Sequence, residues 1–365
     1  MSSLRHWRRM DMFHKALWMW NWKRGKYAAL LFFFSSLYLL SLGYYRSAQM
    51  ELDKYYELQE KGEQYYYFYT FSARDGNSFW LTVLIIALAC LLIGWERSNQ
   101  SNTLLMTMPF KRKHVFLSKW AFGSFCIVSS LLINWIIMYV IYRTTIHFDY
   151  QSFSPLHRYF LYAIVSYVAV YTAALCIGTF TGSIVSQVIF CIPWLLMGLT
   201  FIPLVYTFTL NHLEATDTKN NKLDQQLYEI NQKTNIVVPI YRFSIDYNYQ
   251  PDSRKRDNDP TTLRNPASHV YYSAKSMLVP IFYTIFYLLL GTYLYVRSPN
   301  ENSQRIFIFQ KHLKICIWGT TIYFSLLGGY KINQFYFLPN YYISLFLAGI
   351  ITYVVLSRLT NYKVF

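Results

Sequence analysis

Charge is scarce in this sequence. Only 14% of its 365 residues are Asp, Glu, Lys or Arg, where an ordinary soluble domain carries about 25%. Cysteine is scarcer still, and the five present (Cys90, Cys126, Cys176, Cys191 and Cys316) all lie in apolar stretches. Their number and placement exclude a disulfide-stapled scaffold, and the thiols read as small buried hydrophobes. The composition, 54% hydrophobic and 20% aromatic, equally excludes a disordered chain. An integral membrane protein remains.

The motifs of catalysis are missing too. There is no phosphate-cradling GxxxxGK[ST], since Gly25-Lys26 runs into Tyr27. No HExxH pair and no GxSxG elbow occurs, and the histidines never fall at metal-ligand spacing. Eight charge-free stretches are long enough, or nearly so, to cross a bilayer, which takes roughly 20 apolar residues. They lie at 27–45, 79–95, 120–142, 159–182, 184–210, 277–296, 315–330 and 335–356. None holds Asp, Glu, Lys, Arg or His. Proton-driven carriers and intramembrane hydrolases keep such residues at membrane depth, so both classes are disfavoured and no catalytic or metal-binding residue is assigned. The seventh stretch is the shortest and could be re-entrant.

What charge exists is sorted. With the N-terminus in the cytoplasm, segments 1–26, 96–119, 297–314 and 357–365 hold 18 Lys/Arg and 3 acids, and the other side holds 16 and 15. The excess of +16 is thereby almost entirely a topology signal, with both termini cytoplasmic. It is no nucleic-acid footprint, because no polar domain exists to carry one. The expected fold is an all-α integral membrane protein of about eight transmembrane helices. Its organisation is a cytoplasmic interfacial helix (1–26), helices one to five (27–210), an extracellular loop (211–276), helices six to eight (277–356) and a cytoplasmic tail (357–365).

In segment 1–26, basic residues alternate with Trp7, Trp18, Trp20 and Trp22, and Met10, Phe13, Leu17 and Trp20 recur at helical spacing. Such a helix lies in the membrane interface, as a topogenic flank or against a cytoplasmic partner. Tyr65 to Tyr69 read as headgroup-level aromatics or as a ligand-contacting aromatic surface. The 211–276 loop is too small for an enzyme domain and reads as a cap over an outward opening, with Ile236–Tyr241 as a short strand or interfacial piece. Pro193 and Pro203 in the fifth stretch and Pro280 in the sixth are candidate pathway kinks, or plain packing irregularities. Asn134 and Gln187 can each hydrogen-bond a neighbouring helix.

The loop after the second stretch carries the most information. It runs Glu96-Arg97, then a short apolar segment from Thr103 to Met108, Pro109, a basic cluster Lys111-Arg112-Lys113, and Ser118-Lys119. An apolar segment in a polar loop wants a partner to bury it. This pattern resembles the ABC type-2 exporter permeases. The loop after span six and the Lys363-Val-Phe365 ending are similar to a Gram-positive branch of eight-span permeases associated with acetoin utilisation and antibiotic export. The resemblance implies a coupling helix that docks on a cytoplasmic ATPase, with Glu96, Arg97, Thr103, Leu104, Leu105, Pro109 and Arg112 in that role. It further implies two copies of the ATPase, a second permease (identical or sister chain) and membrane lipids as partners, with no nucleic acid. ATP and Mg would be bound by the ATPase, leaving this chain without a cofactor or enzymatic activity of its own. The expected function is ATP-driven export of a lipid, peptide or antibiotic-like substrate from the cell membrane. The alternative is a non-transporting sensor or immunity module that binds a peptide or lipid-linked antibiotic through its outer loops.

Overall fold

The computed structural model describes residues 15–72, 76–99, 107, 110–213, 236, 238–249, 266–270, 274–299, 308, 310–332 and 338–361. A helix stands at each of the eight apolar stretches: α1 Lys15–Glu60, α2 Asn77–Ser98, α3 Arg112–Thr144, α5 Ser154–Phe180, α6 Ile184–Leu213, α8 Leu278–Arg297, α9 Gln310–Ile332 and α10 Leu338–Asn361. Two short helices, α4 His147–Tyr150 and α7 Val238–Tyr241, lie between them. Among the described residues, six helices are long and apolar enough to cross a membrane. Segment 315–330 forms the middle of one unbroken 23-residue helix, α9, which packs along α10 and against α6.

The first helix departs from expectation at both ends. Residues 15–26 do not form a separate interfacial helix, and 46–60 are not loop; all belong to one 46-residue helix. At 1.5 Å per residue it is about 69 Å long, more than twice the hydrocarbon core. Its early turns are held down by packing, because Leu17, Asn21 and Gly25 are buried and Trp18 meets Phe122 edge to face at 5.4 Å. Sequence charge marks where the membrane ends, but nothing at Lys26 obliges a helix to stop.

In the middle of α1 six residues, Leu37–Leu42, are π-helical. A π-turn bonds i to i+5, which brings Ser36 and Ser41 onto one face. Both grip Asn134 of α3: its amide nitrogen donates to Ser36 Oγ at 2.9 Å, and Ser41 Oγ donates to its amide oxygen at 2.7 Å. The expected interhelical role of Asn134 is thereby located. Helix α5 sits at the centre, touched by α2, α3, α6 and α8. Its later half is rich in small residues (Ala169, Ala173, Ala174, Gly178), all buried, which lets neighbouring backbones close in.

At the opposite end from Ser98 and Arg297, three antiparallel strands, β1 Tyr67–Ser72, β2 Ser244–Tyr249 and β3 Ser268–Val270, form a small sheet in the order β1-β2-β3. Tyr67 pairs with Tyr249 and Ser72 with Ser244. This sheet adds to the all-helical expectation and corrects two details. Tyr67 and Tyr69 alternate inward and are buried, while Phe68 is exposed, so a strand's two-residue period governs this tyrosine run instead of a headgroup belt. In the other loop, residues 238–241 form a helical turn, not a strand.

Candidate functional site

The last turn of α2 is tied to several helices at once. It follows a second π-helical segment, Cys90–Gly94, and carries Glu96 and Arg97, at 2% and 1% exposure. Arg97 Nη1 donates to the carbonyls of Gly178 at 2.6 Å, Thr179 at 3.0 Å and Thr181 at 2.5 Å. These carbonyls lie at the end of α5, where a helix leaves its last C=O groups without partners and gathers negative charge. A guanidinium placed there satisfies both needs.

Glu96 is held from two sides. Lys119 Nζ of α3 lies 2.6 Å from Oε2, and Trp20 Nε1 of α1 donates to Oε1 at 3.0 Å. Lys119 also donates to Leu92 O at 2.8 Å, a carbonyl inside the π-helical segment. Tyr171 Oη of α5 donates to Lys119 O at 2.8 Å. The backbone N–H of Ile184, at the start of α6, donates to Ser98 Oγ at 3.0 Å. Arg24 stacks over the Trp20 ring at 4.5 Å, and the Arg97 guanidinium lies 5.9 Å from the Tyr295 ring of α8. One short stretch, Glu96 to Ser98, therefore contacts α1, α3, α5, α6 and α8.

Close helix approach makes this possible. A Cβ on Gly94 would stand 2.8 Å from the Ile184 backbone, and one on Gly178 would stand 2.6 Å from Gln187 Nε2. Gln187, expected to bridge helices, does so: its Nε2 donates to Ala174 O at 2.9 Å. Arg112 repeats the Arg97 device at α8, donating to Val296 O at 3.2 Å and Ser298 O at 2.9 Å.

The residues read as coupling residues separate into two groups. Glu96, Arg97 and Arg112 are brought together at one end of the bundle, but Glu96 and Arg97 are sealed inside it. Their side chains tie the end of α2 into the bundle, because burying charge requires partners and the bundle supplies them. Thr103, Leu104, Leu105 and Pro109 lie outside the described residues. Of the candidate kinks, Pro280 is corrected: it sits in the first turn of α8, where a missing N–H costs little. Helix α6 runs through Pro193 and Pro203 without interruption. Sequence reasoning missed Trp20 as a ligand of Glu96. Its only signal was a tryptophan among basic residues, which reads the same whether it faces lipid or a carboxylate.

A second buried polar cluster, also unforeseen, joins the sheet to the helices. His147 of α4 is fully buried. Its Nε2 faces Tyr44 O at 3.3 Å and Ser47 Oγ at 3.2 Å, and its Nδ1 lies 2.7 Å from Tyr67 Oη. A carbonyl can only accept, so the hydrogen-bond pattern assigns the proton to Nε2, with Nδ1 accepting from Tyr67. Gln151 Nε2 donates to Tyr67 Oη, and Tyr44 Oη donates to Gln151 Oε1 at 2.9 Å. Burial pushes the His147 pKa down to about 4, against the opposing hydrogen bond to Tyr44. Among the described residues no group of three or more His, Cys, Asp or Glu could hold a metal ion.

Residues 19–198, just under half of the chain, match the family described as ABC-2 family transporter protein. The matched region runs from early α1 into α6 and contains the whole Glu96–Arg97–Lys119 cluster. The match supports the ABC-2 type permeases and, with the apolar helices, a multi-pass membrane protein. A permease of that family implies an ATPase partner within an ABC transporter. No curated protein matches the chain.

Proposed function

We propose that the chain is the membrane-spanning subunit of an ATP-driven exporter, working as a pair of permeases on two separate ATPase subunits. Both termini and the 96–119 and 297–314 loops face the cytoplasm, and the sheet lies outside. The observation that carries this reading is the buried junction at Glu96 and Arg97. A segment that only connected two helices would not need five of them bound to its first three residues. A push delivered to the 99–111 segment by the ATPase reaches α1, α3, α5 and α6 through hydrogen bonds and one ion pair, and α8 through the Arg97–Tyr295 ring contact. Nucleotide then biases a two-state equilibrium of the bundle. The permease itself breaks no bond, and ATP and Mg stay on the ATPase.

The test is Leu104→Asp, which places a charge in the apolar segment proposed to dock. An unpaired charge in an apolar contact costs several kcal/mol, so the variant should insert normally yet lose copurifying ATPase and transport together. Phe68→Asp, on the exposed face of β1, is the control and should keep both. Full ATPase association by Leu104→Asp would end the coupling role of this loop.

A cavity of about 380 Å³ at the sheet end favours a second reading, a sensor or immunity module that binds a peptide or lipid-linked antibiotic. Gln49, Leu52, Tyr55, Thr145, Asp149 and Tyr150 are among its lining residues. ATP-dependent substrate movement in vesicles separates the two: a sensor binds and transports nothing.

A further inference from the structure

Two buried polar atoms at the Glu96 end lack a hydrogen-bond partner: Nη2 of Arg97 and Oε1 of Gln187. One is a donor and the other an acceptor. Both side chains are shut off from solvent, where an unmade hydrogen bond is costly and calls for an explanation.

The two orphans flank the same residue. Arg97 Nη1 donates to Gly178 O, and Gln187 Oε1 lies 3.1 Å from the point where a Cβ on Gly178 would stand. Because that residue is glycine, no side chain stands between guanidinium and amide. The facing surface of α2 is equally bare: a Cβ on Gly94, about one turn before Arg97, would stand 2.7 Å from Gln187 Oε1. A displacement of α2 toward the sheet end by a fraction of a helical turn brings the Arg97 guanidinium toward that amide oxygen, and Arg97 stops short of the Gly94 position, where a Cβ would stand 2.8 Å from Ile184 Cα. The π-helical Cys90–Gly94 segment immediately before it is the irregular part of α2, and such segments recur at sites that move.

We propose that Arg97 has two hydrogen-bonded seats: the α5 carbonyls seen here, and the amide oxygen of Gln187, taken when α2 shifts against the α5–α6 turn. The shift trades the bonds to Thr179 and Thr181 and the Ser98–Ile184 contact for the Arg97–Gln187 bond, and keeps the Glu96–Lys119, Trp20–Glu96 and Lys119–Leu92 contacts by carrying α1 and α3 along with α2. Assigning the second seat to the ATP-bound state rests on the exporter reading; the existence of the second seat does not.

The test uses the full chain in lipid nanodiscs with Cys90, Cys126, Cys176, Cys191 and Cys316 replaced by Ala, carrying Ser98→Cys and Ile184→Cys. With Ser98 Oγ 3.0 Å from Ile184 N, this pair should oxidise readily to a disulfide under copper phenanthroline. Gln187→Glu offers Arg97 a charge-assisted acceptor, so the second seat should fill and the cross-linking rate should fall about tenfold. Adding Arg97→Gln to that variant should restore the rate. Parental-rate cross-linking by a well-folded Gln187→Glu variant, or slowing that persists with Arg97→Gln, overturns the proposal. Should Gln187→Glu not fold, Gln187→Leu in the ATPase complex decides. Trapped with a non-hydrolysable ATP analogue, the parent should lose cross-linking and Gln187→Leu should keep it, and equal loss in both overturns the proposal. Failure to copurify any ATPase would count against the exporter reading and leave the Gln187→Glu arm standing.

Discussion

Lys119 Nζ lies 2.6 Å from Glu96 Oε2, and neither side chain reaches solvent. One residue ends a helix and the other lies two turns into the next, with the 99–111 loop between them. The pair ties the last turn of α2 to the early turns of α3.

Breaking the pair on one side should be severe. Lys119→Met leaves Glu96 charged and buried, and an uncompensated buried charge costs about 3–5 kcal/mol. Removing both charges together, as Glu96→Leu with Lys119→Met, should cost less than the sum of the single changes. Thermal unfolding in detergent, followed by tryptophan fluorescence, measures both. A Lys119→Met variant that melts with the parent would show that the pair is not closed.

Asn134 is expected to lock the register of α1 on α3. Asn134→Leu removes its bonds to Ser36 and Ser41 and should lower stability by about 1–2 kcal/mol, typical for interhelical bonds in membranes. Thermal unfolding in detergent measures the change. Unchanged unfolding of Asn134→Leu would mean that apolar packing alone sets the π-turn.

Glycine substitutions should divide by position. A Cβ on Gly123 would stand 2.1 Å from Tyr171 Oη, so Gly123→Ala must drive Tyr171 off the Lys119 carbonyl and should cost about 1–3 kcal/mol. At Gly319 of α9 nothing lies within 4 Å. Gly319→Ala should therefore be neutral or stabilise by up to about 1 kcal/mol through helix propensity. Equal melting temperatures for the two variants would contradict the packing described.

The sheet end should loosen in acid. The His147 pKa is about 4 when folded and about 6.5 when unfolded, so the unfolded state binds more protons between those values. The stabilisation is fully present above pH 6.5 and is lost as pH falls through 4, amounting to about 3 kcal/mol. Amide exchange of β1 should accelerate across that window, and His147→Gln should flatten the change. Tyr44, Tyr67, Tyr69 and Gln151 surround the ring, and none of them ionises there. Glu51, linked through Tyr65, and Asp149 of the same short helix are the nearby carboxyl groups, which is why the His147 variant is needed.

Orientation is checked by thiol labelling in intact cells. A cysteine at Ser303 should resist an impermeant reagent, and one at Ser253 should react, as the split of 18 Lys/Arg against 3 acids requires. Reaction at Ser303 from outside would overturn the eight-span topology.

The parts of this protein visible along the chain are those set by composition and local run length. Eight apolar stretches became eight helices because a backbone in hydrocarbon must satisfy its own hydrogen bonds, and that demand is independent of neighbours. The Glu96-Arg97 and Ser118-Lys119 pairs stood out because charge at the edge of an apolar run is conspicuous. Their burial was invisible, since the same residues at a membrane edge could face water, lipid headgroups or a partner. The inward turn of Tyr67 and Tyr69 was invisible for a related reason. Their strand period shows only when β2 arrives from more than 170 residues away.

The sequence by itself determined a multi-pass helical bundle, because hydrophobic run length acts locally. Only the tertiary structure decided which polar residues are inside. Arg97 finds the carbonyls of α5, Lys119 finds Glu96, and Asn134 finds two serines aligned by a π-turn, across separations of 23 to 98 residues. Each of these groups tolerates burial only with its partner in place. No stretch of chain shows that partner until the helices have packed.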